Sequence, residues 1–351
     1  MPSTHSASSN PGQPGRRRAP VCVLIAALLV PCASVQCVTV DAEPGDLASR
    51  PFGTAADGSR SRVYSLREAA ITVRVTDFGA TLLSVEAPAV NGPVEEVLWG
   101  ESDVSGLERG LGDATLLSWD QRLWEVLDQG QAGDLSFLRL GLEDKPLSPF
   151  PSGGRTELTI TLDGSGDLAM ELRANEPGVP VLPTALRWNL GGADAGTVLD
   201  HVLEVMAERV LALGSDGVHR PVPVGGTTLD FRAARAVGSP RRNPHGEPWN
   251  GRPTLYLLED MPRTAGSQQR PMRCALRLRH PGSGRTLELW TDYGCLLLSC
   301  DEASRPGLGP LPATLVIQPV PVPETAALQG AQDPLLEEQS RRIAWRLRPV
   351  P

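Results

Sequence analysis

Lysine is almost missing from this chain: Lys145 is the single one in 351 residues, so nearly all positive charge is arginine, scattered along the sequence. With 33 basic and 41 acidic residues the formal net charge is −8. The clustered basic face that nucleic acid requires is lacking, so no nucleic-acid partner is expected. No Cys-x-x-Cys or Cys/His spacing suggests zinc, and no metal or cofactor is implied. An N-x-S/T glycosylation sequon is also lacking. The longest apolar run, Ala19–Val30, falls short of the ~20 residues of a membrane span.

That run follows a Ser/Pro/Gly-rich start and Arg16-Arg17-Arg18, the layout of a secretory signal peptide over residues 1–34, with cleavage after Ser34. Left uncleaved, it would act as a signal anchor, the arginines holding the N-terminus cytosolic and sending the domain outward. Only then is a membrane partner expected. Either way the expectation is a secreted or lumen-facing protein. Beyond the leader the cysteines are Cys37, Cys274, Cys295 and Cys300. Cys274 and either Cys295 or Cys300 sit on successive predicted strands, which allows a disulfide or buried free thiols.

Residues 35–60 are polar with Pro and Gly and read as a linker; residues 61–351 read as one β-domain. Runs such as Ile71–Val75, Ala80–Ala87, Thr156–Leu162, Asp167–Ala174 and Arg285–Thr291 alternate apolar and polar with period 2 between turn residues, the pattern of antiparallel strands. Asp163-Gly164 marks a hairpin turn. Only Asp333–Arg341 reads as helical, with a polar loop as the alternative. The fold class expected is all-β, a large antiparallel β-sandwich.

Several segments, in order, resemble the aldose 1-epimerase (galactose mutarotase) family. Ser65–Gly92 is similar to its opening strands, with Gly79-Ala80 in a G-A/C turn, and Val97–Gly110 to the next strand and loop. Asp120–Trp124 resembles F-D-K-x-x-W, Thr159–Ala174 a hairpin, Gly225–Arg232 the G-T-x-F-D-x-R motif, and Ser283–Gly294 the S-G-R-x-L-x-V-x-T-x-x-P-G motif. Val179–Gly192, VPVLPTALRWNLGG, resembles P-V-N-L-T-N-H-S-Y-F-N-L. The resemblance implies a galactose-mutarotase-like β-supersandwich.

The same resemblance implies a sugar site whose catalytic groups are missing. The family's acid histidine falls on Ala185, its base glutamate on Gln318 and a substrate-orienting aspartate on Pro253. Between Trp99 and Trp119 the family carries a G-R-x-x-N-R-I strand and an N-x-L-H-G-G loop, which supply an arginine and a second histidine to the sugar pocket; neither motif is present here. Arg187, Trp188, Asn189, Pro253 and Gln318 are therefore carbohydrate-binding candidates, Trp188 being equally readable as core. The other tryptophans of the domain, except Trp249, read as packing residues. His201 reads as structural, and His219 and His280 as exposed. His245 and Glu247, close together with Trp249 in one loop, are alternative acid/base candidates.

The function expected is a catalytically inactive relative that binds a hexose, a glycan or a protein partner through a remodelled cleft. The alternatives are an active aldose 1-epimerase using displaced groups, and a structural extracellular module.

Overall fold

The computed structural model describes residues 46–110, 122–144, 154–174, 185–192, 195–239, 249–259, 270–305, 308–323, 325–326 and 340–349. The leader, Cys37, His245 and Glu247 lie outside them. Two antiparallel sheets face each other. The first has 11 strands, in the order β1 (Ala48–Thr54), β2 (Arg60–Glu68), β3 (Ile71–Thr76), β4 (Thr81–Pro88), β5 (Val94–Trp99), β10 (Leu186–Trp188), β19 (Leu308–Val320), β18 (Cys295–Arg305), β15 (Thr254–Leu257), β12 (Arg209–Leu213) and β13 (His219–Pro223). The second has nine: β14 (Arg235–Ala236), β11 (Val202–Val205), β16 (Arg273–Arg279), β17 (Arg285–Thr291), β20 (Ser340–Pro349), β9 (Asp167–Ala174), β8 (Gly154–Asp163), β7 (Leu135–Asp144) and β6 (Glu125–Ala132).

Alternation in sequence becomes alternation in burial. Along β8, Leu158, Ile160 and Leu162 are sealed in the core while Glu157, Thr159 and Thr161 face outward. Each buried side chain of this size contributes ~1.5–3 kcal/mol against conformational entropy. The main core lies between the sheets and includes Trp188, stacked at 5.1 Å on Trp345. Two smaller apolar clusters sit on the outer face of the 11-stranded sheet. One joins Phe52, Phe78 and Leu83 to Val104 and Leu107 of the short helix α1 (Val104–Gly110); the other gathers Leu211, Leu257 and Cys295. The open part of that face lies between them.

Several sequence expectations are corrected here. Strand β1 forms within the stretch read as linker, pairing with β2. Helix α1 carries no helical signature in seven residues and was not foreseen. Ser340 and Arg341, read as the end of a helix, begin β20, and 331–339 lie outside the described residues. The hairpin between β8 and β9 does turn at Asp163-Gly164, closed by Gly166 N–H donating to Asp163 O, with Gly166 taking φ 85° and Asp163 Oδ1 accepting from the N–H groups of Ser165 and Asp167. Cys274, Cys295 and Cys300 are free thiols. β16 and β18 belong to different sheets, and burial pushes the Cys274 and Cys300 thiols up to about 11 and about 12.

Candidate functional site

The sequence-derived candidates gather on two transverse rows of the outer face. In antiparallel pairing, residues directly opposite one another share a face. Arg187 pairs with Trp99 on one side and Val316 on the other, and Val316 pairs with Ser299. Extending the β15–β18 register by one residue brings exposed Pro253 opposite Ser299. Gln318 pairs with Leu297, which pairs with Leu255. The β10–β19 ladder runs Leu186↔Ile317, Arg187↔Val316, Trp188↔Leu315; one further step sets Ala185 against Gln318. The two positions on which the resemblance sets the family's acid and base are thus cross-strand neighbours in this register.

Parity divides the other candidates. Arg187 faces out, so Leu186 and Trp188 face in: Trp188 is 0% exposed and belongs to the core, not to a sugar surface. Asn189 is equally buried, its Nδ2 donating to the Ala313 carbonyl at 2.9 Å and its Oδ1 accepting from Gly191 N–H. It shapes the turn after β10 and is removed from the ligand-facing set. The aromatic ring on the open face is Trp99, half-buried beside Arg187, which sequence reading assigned to packing. Asp301 was also missed. Its Oδ2 accepts from Arg187 Nε at 2.6 Å, with both side chains close to half exposed. The available signal was the register: knowing that Arg187 faces outward identifies its neighbours on β5 and β18.

Conserving a turn is a different task from transferring a proton, and the recognisable motif residues perform the former. Gly79 accepts a left-handed backbone (φ 66°), its N–H donating to Arg122 O, while Trp124 N–H donates to Asp77 O. Asp77 Oδ1 also accepts from Ser61 Oγ and Arg62 N–H. Burial nevertheless raises the Asp77 carboxyl above its usual range. Buried Asp230 holds Arg232 through two hydrogen bonds of 2.9 and 3.1 Å.

Arg285 is 1% exposed and reaches from β17 across to the other sheet. Its Nε donates to Ala87 O, Nη1 to Leu190 O and Glu95 Oε2, and Nη2 to Pro93 O. His201 Nε2 accepts from Leu190 N–H at 2.9 Å, which places the ring proton on Nδ1. Burial, reinforced by neighbouring His280, pushes its pKa down to about 3. His201 is structural as expected; His280 is not simply exposed, since it is half-buried, stacks on His201 at 4.8 Å and accepts from Ser283 N–H. His219, read as a solvated turn residue, starts β13, with Nδ1 2.7 Å from Thr325 Oγ1.

A cleft of about 480 Å³ lies by the turn after β10, lined by residues 89–93, Glu95, Gly191 and 279–284. Its acid is engaged by Arg285 and its histidine by Ser283. Among the described residues, no group of three or more His, Cys, Asp or Glu side chains could hold a metal.

Comparison with known proteins agrees with this architecture. The family model for aldose 1-epimerase matches residues 106–302, more than half of the chain. Aldose 1-epimerases of Escherichia coli K12 and Shigella flexneri are each 25% identical over 224 residues. That match spans 53% of this chain and 64% of the curated relatives. The fold is shared with an aldose epimerase homologue from C. elegans (TM-score 0.62, 17% identity, 83% of this chain and 100% of the other). It is shared also with a galactose 1-epimerase from Lactobacillus acidophilus NCFM (TM-score 0.61, 16% identity, 86% and 99%).

Proposed function

Because the chain belongs to the aldose 1-epimerase family, we propose that it is a member without mutarotase activity, which binds carbohydrate on the outer face of its 11-stranded sheet. The observation carrying this reading is the β10–β19 register, which, continued one residue beyond Leu186↔Ile317, sets Ala185 opposite Gln318. Mutarotation needs a base to take the anomeric proton and an acid to protonate the ring oxygen, each worth ~10²–10⁴ in rate when positioned. Alanine has no proton to exchange, and a carboxamide hydrogen-bonds a hydroxyl without deprotonating it. On the rows around them, Trp99, Val316, Ser299, Pro253, Leu297 and Leu255 add no acid or base. The charges nearby, Arg187 and Asp301, already neutralise one another.

What remains suits binding: an aromatic surface beside planar polar groups, with the Gln318 amide on the adjoining row. The same reading assigns the domain to a secreted or lumen-facing compartment, as the N-terminal pattern of three arginines and an apolar run suggests.

Polarimetry of freshly dissolved α-D-galactose and α-D-glucose is the direct test. The expected result is no acceleration over buffer. Acceleration that survives Gln318→Ala and disappears in His245→Ala would overturn the proposal and move catalysis to the His245/Glu247 loop.

A further inference from the structure

We propose that Arg187, Asp301 and Trp99 form a clamp for a vicinal diol, taking neutral sugars whether or not the anomeric hydroxyl is free, so that glycosides are ligands. This rests on the carbohydrate-binding reading above and names the ligand class. The clamp's geometry starts from the 2.6 Å bond between Arg187 Nε and Asp301 Oδ2. That single bond uses one edge of each group. No other hydrogen bond is made by either side chain to the described residues, leaving the Arg187 Nη donors and Asp301 Oδ1 open beside one another, on side chains 40% and 45% exposed. A guanidinium donates only and a carboxylate accepts only. Adjacent hydroxyls complement such a pair, one accepting from Nη while its neighbour donates to Oδ1. Both bonds are charge-assisted and therefore stronger than neutral ones.

The pair also selects by charge. An acidic sugar brings its anion against Asp301, and an amino sugar its cation against Arg187, while a neutral diol offends neither. Trp99 supplies the apolar wall. It stands opposite Arg187 in the β5–β10 ladder, with Nε1 buried, so that the part of its ring reaching solvent is carbon. A sugar's CH face lies against that surface while its hydroxyls meet the ion pair. Nothing in this contact set addresses the anomeric carbon; a free reducing end gains no additional partner from the clamp.

The test uses ligand-observed NMR and calorimetry on the full chain, with methyl α-D-galactopyranoside, methyl α-D-mannopyranoside and methyl β-D-glucopyranoside, each beside its free sugar. At least one methyl glycoside is expected to bind within about threefold of the free sugar. Removing either hydroxyl of the recognised diol should weaken binding tenfold or more. Arg187→Met and Asp301→Asn should each do the same, and Trp99→Ala should weaken it severalfold. The exchanged variant Arg187→Asp/Asp301→Arg, which restores the pair in reverse, should recover part of the loss. Thermal melting of each variant separates loss of the clamp from loss of fold.

Free sugars that bind while every glycoside fails would sink the clamp and leave the carbohydrate-binding reading standing. The same holds if glycosides bind undiminished by Arg187→Met and Asp301→Asn. No binding of any sugar at millimolar concentration would remove both.

Discussion

Two arginines a short distance apart in function show how burial sets the energy of one residue type. Arg285, sealed at 1% exposure, spends its donors on three backbone carbonyls and Glu95. Removing it takes away four charge-assisted hydrogen bonds, leaving Leu190 O with Ser283 Oγ and Pro93 O with Ala89 N–H, and Arg285→Ala should cost ~3–5 kcal/mol. Arg187 holds one exposed carboxylate, a contact worth ~0–1 kcal/mol, so Arg187→Ala should leave stability within that margin. Urea unfolding of both variants checks the contrast. Near-equal losses would mean that Arg187 is a structural strut and not an available ligand contact.

His201 belongs to the same interior, and its depressed pKa has a definite sign. An unfolded histidine takes up a proton near pH 6.5, the folded one only near about 3. Between those values the unfolded state binds more protons, so the contribution is complete above pH 6.5 and is lost as pH falls toward 3. Buried Asp77 and partly buried Asp167, whose carboxyls are raised by desolvation, act in the opposite direction at lower pH. His201→Gln, which keeps an acceptor for Leu190 N–H, isolates the effect. From pH 6.5 to 5 the parent chain should lose about 1.5 kcal/mol more than the variant. Equal losses would place the histidine's protonation outside the folded-state balance.

At the scale of elements, the strands were legible because alternation is a repeated signal, sustained over 6 to 10 residues along β3, β8, β9 and β17. The short helix α1 was not, since seven residues give a helical period too few repetitions. The edge strand β13 carries a further device. His219 N–H points away from β12, donating to Thr325 O, so the next outward donors along the strand fall at 221 and 223. Both are proline. Proline has no N–H and cannot extend a ladder, and the open edge therefore offers no donor to another chain's strand. Pro221→Val/Pro223→Val restores two outward donors next to half-exposed Val222. The variant is expected to self-associate, seen as a concentration-dependent shift in light scattering on a sizing column. A strictly monomeric variant would show that this edge is protected by something besides its prolines.

For the whole molecule, fold and site were unequally readable for one reason. The motif residues in DFGA, NLGG, DFR and SGR hold turns and tie the sheets together, as Asp77, Asn189, Asp230 and Arg285 do through named hydrogen bonds. They identify the architecture wherever it persists. Groups facing a ligand have no such obligation to the backbone, and Ala185, Pro253 and Gln318 fill their places without disturbing the ladder around them. Sequence could therefore compare these positions with the family's pattern, residue by residue. It assigned Trp99 to packing and offered Trp188 to the ligand, the reverse of the sides of the sheet they face, because that difference is set by strand register and not by residue type.

The row that begins at Trp99 passes through Arg187, Val316 and Ser299 and reaches Pro253. It crosses four interstrand gaps, and at ~4.8 Å each its length is on the order of 19 Å. A monosaccharide seated at one end would cover the tryptophan and the ion pair and leave most of that track bare. A chain of sugar rings laid perpendicular to the strands would run its full length, so affinity should climb with the number of linked residues and level off once the track is occupied.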